Sequence, residues 1–159
     1  MDGRLMVLKK ILDSLHIPAD VGQLDDRKRI QKAVYLTQAA GLGLGYGFGW
    51  YLRGPYSTSL ARDYYAMALE LRLGEVAQTE LRADVLTQLA PIQGIVNAPA
   101  DVKLSQADWL ELLASVHFLR DVRALDDTGV ANVLAKEKAP LAPFQTQATT
   151  ALQQAGLLS

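Results

Sequence analysis

Apolar residues recur along this chain mostly at helical spacing. Residues 4 to 15 place Leu5, Leu8, Ile11, Leu12 and Leu15 on one face, and Pro18 stops the pattern after His16. A second helix is expected to open at Asp25 and Asp26, where carboxylates suit the positive end of the helix dipole, and to end at Gly41. Its inner stripe is Ile30, Ala33, Val34, Thr37 and Ala40, while Lys28, Gln31, Lys32, Tyr35 and Gln38 form a row on the opposite side. An aromatic in that row favours a helix covered on both sides, with the lysine stems lying on apolar surface and the ammonium groups reaching water.

The period then changes. From Gly41 to Arg53 large residues alternate with glycines, the signature of a strand, and the better half runs from Tyr46 to Arg53. Glycine weakens a regular element by about 0.5–1 kcal/mol relative to alanine. A short bent ribbon close against another backbone, the second helix, is the expectation. Gly54-Pro55 should end the strand and start a third helix, with Leu60, Tyr64, Met67 and Leu71 inward.

Helical spacing resumes after Gly74 through Leu81, Val85 and Leu89, is interrupted by Pro91, and gives way to a loop over residues 97 to 101. In "LSQADW", Ser105 with Asp108 approximates a capping box, with Leu104 placed to staple onto Trp109. Trp109, Leu112, Leu113, Val116 and Leu119 continue that stripe. Asp126 and Asp127 precede a helix carrying Val130, Val133 and Leu134, closed by Pro140. The last helix begins at Pro143, turns Phe144, Ala148, Ala151 and Leu152 inward, and is capped by Gly156. The sum is a mainly α, single compact multi-helical domain over residues 1–159, with six or seven helices and one short β-ribbon around residues 46–53.

Length agrees with that picture, since 159 residues bury about 68–70% of the unfolded surface in one domain. The absence of cysteine removes disulfides, thiolate metal sites and a cysteine nucleophile. With His16 and His117 the only imidazoles, neither a metal nor a cofactor is expected. Charges interrupt the apolar run at the start of the chain, so neither a signal peptide nor a membrane span is expected there, and the cytoplasm follows by default. Net charge is −1, but residues 25 to 72 hold seven basic and four acidic side chains, so that +3 there faces −4 elsewhere. Nucleic-acid binders carry a stronger basic stripe.

Several stretches invite a chemical reading. A dinucleotide loop beginning at Gly41 would need glycine at position 46, where Tyr46 stands, and would follow a strand rather than a helix. Ser57, Thr58 and Ser59 at a helix start, with Arg53 upstream, suit either an anion or plain capping, and capping is favoured. "DDRKR" at 25 to 29 pairs Asp25 with Arg29 and Asp26 with Arg29, which accounts for a charged first turn, although phosphates or an acidic protein face are the alternative. His117 stands four residues before Asp121, an arrangement for orienting an imidazole, yet no nucleophile lies at matching spacing. Glu137 and Lys138 have a nuclease-like order without the sheet such enzymes use. No catalytic residue is therefore assigned.

One combination is more specific. "RIQKAVYLTQAAG" followed by "YGFGWYLRGPYSTSLARDY" joins a Gln-Lys-x-x-Tyr helix to an aromatic strand ending in Tyr-x-x-Gly-Pro-Tyr-Ser. This pairing resembles the YwgA-like bacterial proteins, and more distantly the Panacea domain that includes the SocA-like antitoxins. The resemblance covers residues 27 to 67, and "KEKAPLAPFQTQA" is similar to the closing segment of the YwgA-like group. It implies a helical fold and binding of a protein partner rather than catalysis. The candidate recognition cluster is Gln31, Lys32, Tyr35, Tyr51, Arg53, Tyr56 and Ser57, with the three tyrosines stacked beside Gln31 and Lys32. The expected function is a non-catalytic, antitoxin-like interaction module. The alternative is a nucleic-acid-binding regulator with helix and ribbon arranged as in a winged helix, and an enzyme comes third.

Overall fold

The computed structural model describes all 159 residues. Seven α-helices accompany one short hairpin: α1 (Gly3–Ser14), α2 (Leu24–Ala39), β1 (Gly49–Tyr51), β2 (Gly54–Tyr56), α3 (Thr58–Arg72), α4 (Ala83–Gln93), α5 (Gln106–His117), α6 (Asp127–Glu137) and α7 (Gln145–Gln154). The mainly α reading with a single ribbon holds. No helix is long and apolar enough to cross a membrane.

At the centre lies α5, whose residues Trp109 to His117 are all buried and which packs on α2 and α7. The expected stripe is there, but the helix is buried all round, as hydrophobicity on every face requires. Ser105 caps it, with its Oγ accepting from the Asp108 N–H at 3.1 Å. The carboxylate of Asp108 does not return the bond as a capping box would; it accepts from Lys28 instead. Trp109 is fully buried and donates its indole N–H to the Ile95 carbonyl at 2.8 Å, which satisfies the one polar atom of a large apolar side chain. A π-helical turn over Phe118–Val122 follows, closed by the Arg123 N–H on the Phe118 carbonyl at 3.0 Å.

Two boundaries differ from expectation. The chain from Glu75 to Leu81 is not helical, and α4 begins at Ala83 and runs through Pro91. Pro91 lies two residues before the end of α4, where its missing N–H removes only one of the closing bonds. Secondly, the strand expected over residues 46–53 is confined to β1, and Gly54-Pro55 starts no helix. Gly54 adopts φ +88°, the left-handed conformation that short hairpin loops call for, so the chain reverses at Leu52-Arg53. β2 then pairs antiparallel with β1, Gly49 opposite Tyr56 and Tyr51 opposite Gly54. Pro55 is accommodated because a strand in a two-stranded ribbon has an unpaired edge. Ser57 becomes the N-cap of α3, its Oγ accepting from the Leu60 N–H at 3.1 Å.

The glycines do not serve the close approach foreseen for them. A Cβ at Gly43, Gly45 or Gly47 would meet open space, one at Gly49 would meet the ring of Tyr51 in its own hairpin, and the tightest enclosure, at Gly54, is made by α5, not α2.

Candidate functional site

The polar row of α2 holds the hairpin. Gln31 pairs with the main chain of Ser57 as a strand would: its amide donates to the Ser57 carbonyl and its carbonyl accepts the Ser57 N–H, each at 2.9 Å. Seven residues on, hence two turns along the same face, Gln38 does the same to Tyr46, again at 2.9 Å for both bonds. The feet of the hairpin, one before β1 and one after β2, are thus clasped by two glutamines of one helix. Tyr46 is tied further by its hydroxyl, which donates to Asp63 of α3 at 2.7 Å.

Between those feet the ribbon is braced by lysines. Lys32 donates to the Pro55 carbonyl at 2.7 Å and Lys138, just after α6, donates to the Leu52 carbonyl at 3.0 Å. Glu111 of α5 lies under the ribbon and accepts from Lys138 at 2.8 Å and from Lys28 at 2.9 Å; Lys28 also reaches Asp108 at 2.6 Å. Lys28, Lys32, Glu111 and Lys138 are all buried, so the expectation that the lysine heads of α2 reach water is wrong. Main-chain carbonyls and carboxylates replace water there, as burial of a charge demands.

The three lysines sit in different fields. Burial pushes the Lys28 ammonium down, but hydrogen bonds to Asp108 and Glu111 outweigh it and carry its pKa above the ordinary lysine value. Lys32 has no carboxylate of its own. Burial lowers its pKa to about 7, with Glu111 opposing the shift and Lys138, Lys28 and Arg53 adding to it. Lys138 also stands 5.3 Å from the centroid of the Trp50 ring, whose indole in turn stacks on Phe118 at 5.7 Å.

Tyr35 leaves the expected cluster. It is buried, with its hydroxyl 2.7 Å from His117 Nδ1 and its ring edge-on to Phe48 at 5.3 Å. A row at 100° per residue spans more arc than one neighbour covers, and this tyrosine faces the α5 side while Gln31 and Lys32 face β2. Burial lowers the His117 pKa, with the charge of Asp121 and a backbone hydrogen bond with Leu157 opposing it. Nδ1 of the ring is engaged by the Tyr35 hydroxyl, so Asp121 acts through its field rather than as the orienting partner expected from sequence.

Of the remaining members, Tyr51 and Tyr56 meet edge-on at 5.3 Å. Gln31, Lys32, Arg53 and Tyr56 line a cleft of about 170 Å³ between α2, α3 and the hairpin. Ser57 is fully buried and spent on capping. The basic run near the start of α2 is largely committed: Arg29 pairs with Asp26 at 2.6 Å, Arg27 donates to the Val21 carbonyl at 2.8 Å, and Lys28 is paired as above. At the tip, Leu52 is 83% exposed and Tyr51 53% exposed.

Sequence reasoning missed Glu111 and weighed Lys138 only as half of a nuclease-like pair, not as a brace of the ribbon. Glu111 had a signal, since a lone carboxylate inside "WLELLASVHFL" sits within a run too apolar to leave any face in water. No family model, curated protein or solved structure matches this chain.

Proposed function

We propose that the chain is a non-catalytic recognition module, antitoxin-like in that it acts in the cytoplasm by binding a protein partner through the hairpin tip. The observation that carries this reading is an apolar tip on a fixed mount. Leu52 and Tyr51 project into solvent, while the Leu52 and Pro55 carbonyls are held from behind by the buried ammonium groups of Lys138 and Lys32. A loop ordered before binding loses little entropy on binding. Tyrosine and arginine, present here as Tyr51 and Arg53, are enriched among residues that dominate interface energies. The resemblance of residues 27 to 67 to the YwgA-like and Panacea proteins favours the same reading.

The test compares the native chain with Leu52→Asp as bait in extracts of the source organism. One protein retained by the native chain and lost with the variant, whose circular dichroism is unchanged, is the expected result. Co-expression of that protein with and without this chain then reads whether it arrests growth and is neutralised. Retention unaffected by Leu52→Asp, or steeply salt-dependent DNA binding in place of protein capture, would overturn the reading.

A further inference from the structure

Lys32 has unspent hydrogen-bonding capacity. Its side chain is 1% exposed and makes one hydrogen bond, to the Pro55 carbonyl, although an ammonium offers three donors. The carboxylate whose charge acts on it, Glu111, is already shared between Lys28 and Lys138. A buried amine so placed can carry its charge at little cost only with an anion beside it.

The cleft that Lys32 lines is chemically one-sided. Arg27, Lys28, Lys32 and Arg53 contribute to its wall together with Gln31 and the tyrosines Tyr56, Tyr64 and Tyr65, and no carboxylate does. The acids of this region lie across Arg53 in a separate cleft, where Asp108, Glu111 and Glu137 offset Lys28 and Lys138. At about 170 Å³ the basic cleft is smaller than the roughly 300–1,000 Å³ of pockets for drug-sized ligands. Its size suits a single charged group. From this we infer that the cleft between α2, α3 and the hairpin binds a small oxyanion, a phosphate or carboxylate group, held between the Lys32 ammonium and the Arg53 guanidinium.

The groups that face Lys32 set how such binding responds to pH. They are Lys28 on its own helix, Arg53 and Tyr56 on the hairpin, Tyr64 and Tyr65 on α3, Glu111 on α5 and Lys138 after α6. An incoming anion favours the protonated amine, so above neutral pH binding draws in a proton. The oxyanion has two sources, a free small phosphate or an acidic side chain of a docking protein.

Inorganic phosphate and an acetylated triglutamate peptide, titrated separately into the full chain at pH 8 in buffers of different ionisation enthalpy, test the site. The expected result is proton uptake on binding and a shift of the Lys32 Cε resonance. Arg53→Gln, at an exposed position, should weaken binding by about tenfold or more. Phosphate binding identifies a free anion as the source, and binding of the peptide alone identifies a protein carboxylate; either supports the site. Lys32→Met should abolish proton uptake, and if that variant does not fold, Arg53→Gln and the Lys32 resonance still decide. No binding of either probe, or binding that leaves Lys32 and the Arg53→Gln affinity unchanged, overturns the inference. Phosphate titrated into the full chain with no protein partner present reads this cleft alone, so failure of this site is distinct from failure of partner docking at the tip.

Discussion

Gly54 and Ser115 lie so close that a methyl group on the glycine would stand 2.5 Å from the serine Oγ. The contact locks the hairpin turn onto α5 at a point where the backbone is also left-handed, φ +88°. Gly54→Ala should therefore cost about 1–3 kcal/mol for the backbone strain, with the steric clash added. Ser115 Oγ is buried without a hydrogen-bond partner, so Ser115→Ala alone should be neutral or stabilising by about 1 kcal/mol. In the double variant the clash disappears and the strain stays. Urea denaturation of all four proteins should show partial recovery, a positive coupling between the two positions.

Glu111 is the shared anion of the ribbon. Replacing it with Gln leaves Lys28 with only Asp108, and Lys138 with no carboxylate, inside the protein. Glu111→Gln should destabilise the fold by about 3–5 kcal/mol. Asp108→Asn, at a half-exposed position, should cost about 0–1 kcal/mol. Chemical denaturation of the two variants checks the contrast.

Lys32 links stability to pH on the alkaline side. Its folded pKa is about 7, below the unfolded value of 10.5. Between those values the unfolded chain binds more protons than the folded one, so the contribution of Lys32 to stability rises as pH increases from about 7 toward 10.5. Below pH 7 both states are protonated and the burial cost is felt in full. The difference in stability between the native chain and Lys32→Met should consequently move in favour of the native chain from pH 6 to pH 9, as read by thermal unfolding.

His117 acts on the acid side. Its folded pKa lies below the ordinary 6.5, so the unfolded state takes up the proton first as pH falls and stability begins to drop near pH 6.5. Tyr35→Phe removes the hydroxyl hydrogen-bonded to Nδ1 at 2.7 Å. A buried ring nitrogen is then left without its hydrogen-bond partner. The expected loss is about 1–3 kcal/mol at pH 7, measurable by denaturant titration.

Much of this architecture was legible in residue spacing, because helices announce themselves locally. The opposite row of α2, from Lys28 to Gln38, could be picked out at 100° per residue, and all five of its members turn out to bond other segments. What spacing could not give was the identity of their partners. Lys28 meets Glu111 across 83 positions of sequence, and Lys138 meets the Leu52 carbonyl across 86. Charged residues in a helix read as solvent-facing when their counterions are distant in the chain. The second strand escaped for another reason. Three residues carry no periodicity, and a Gly-Pro pair fits a helix start as well as the strand after a tight turn.

The paired amides of Gln31 and Gln38 have a consequence for substitution in the ribbon. By gripping the peptide backbone at Ser57 and Tyr46, they fasten the intervening loop without reference to its side chains. Such an attachment makes the segment an interchangeable cassette: a substitution at an outermost position such as Leu52 leaves both clasps, and the scaffold beneath them, in place.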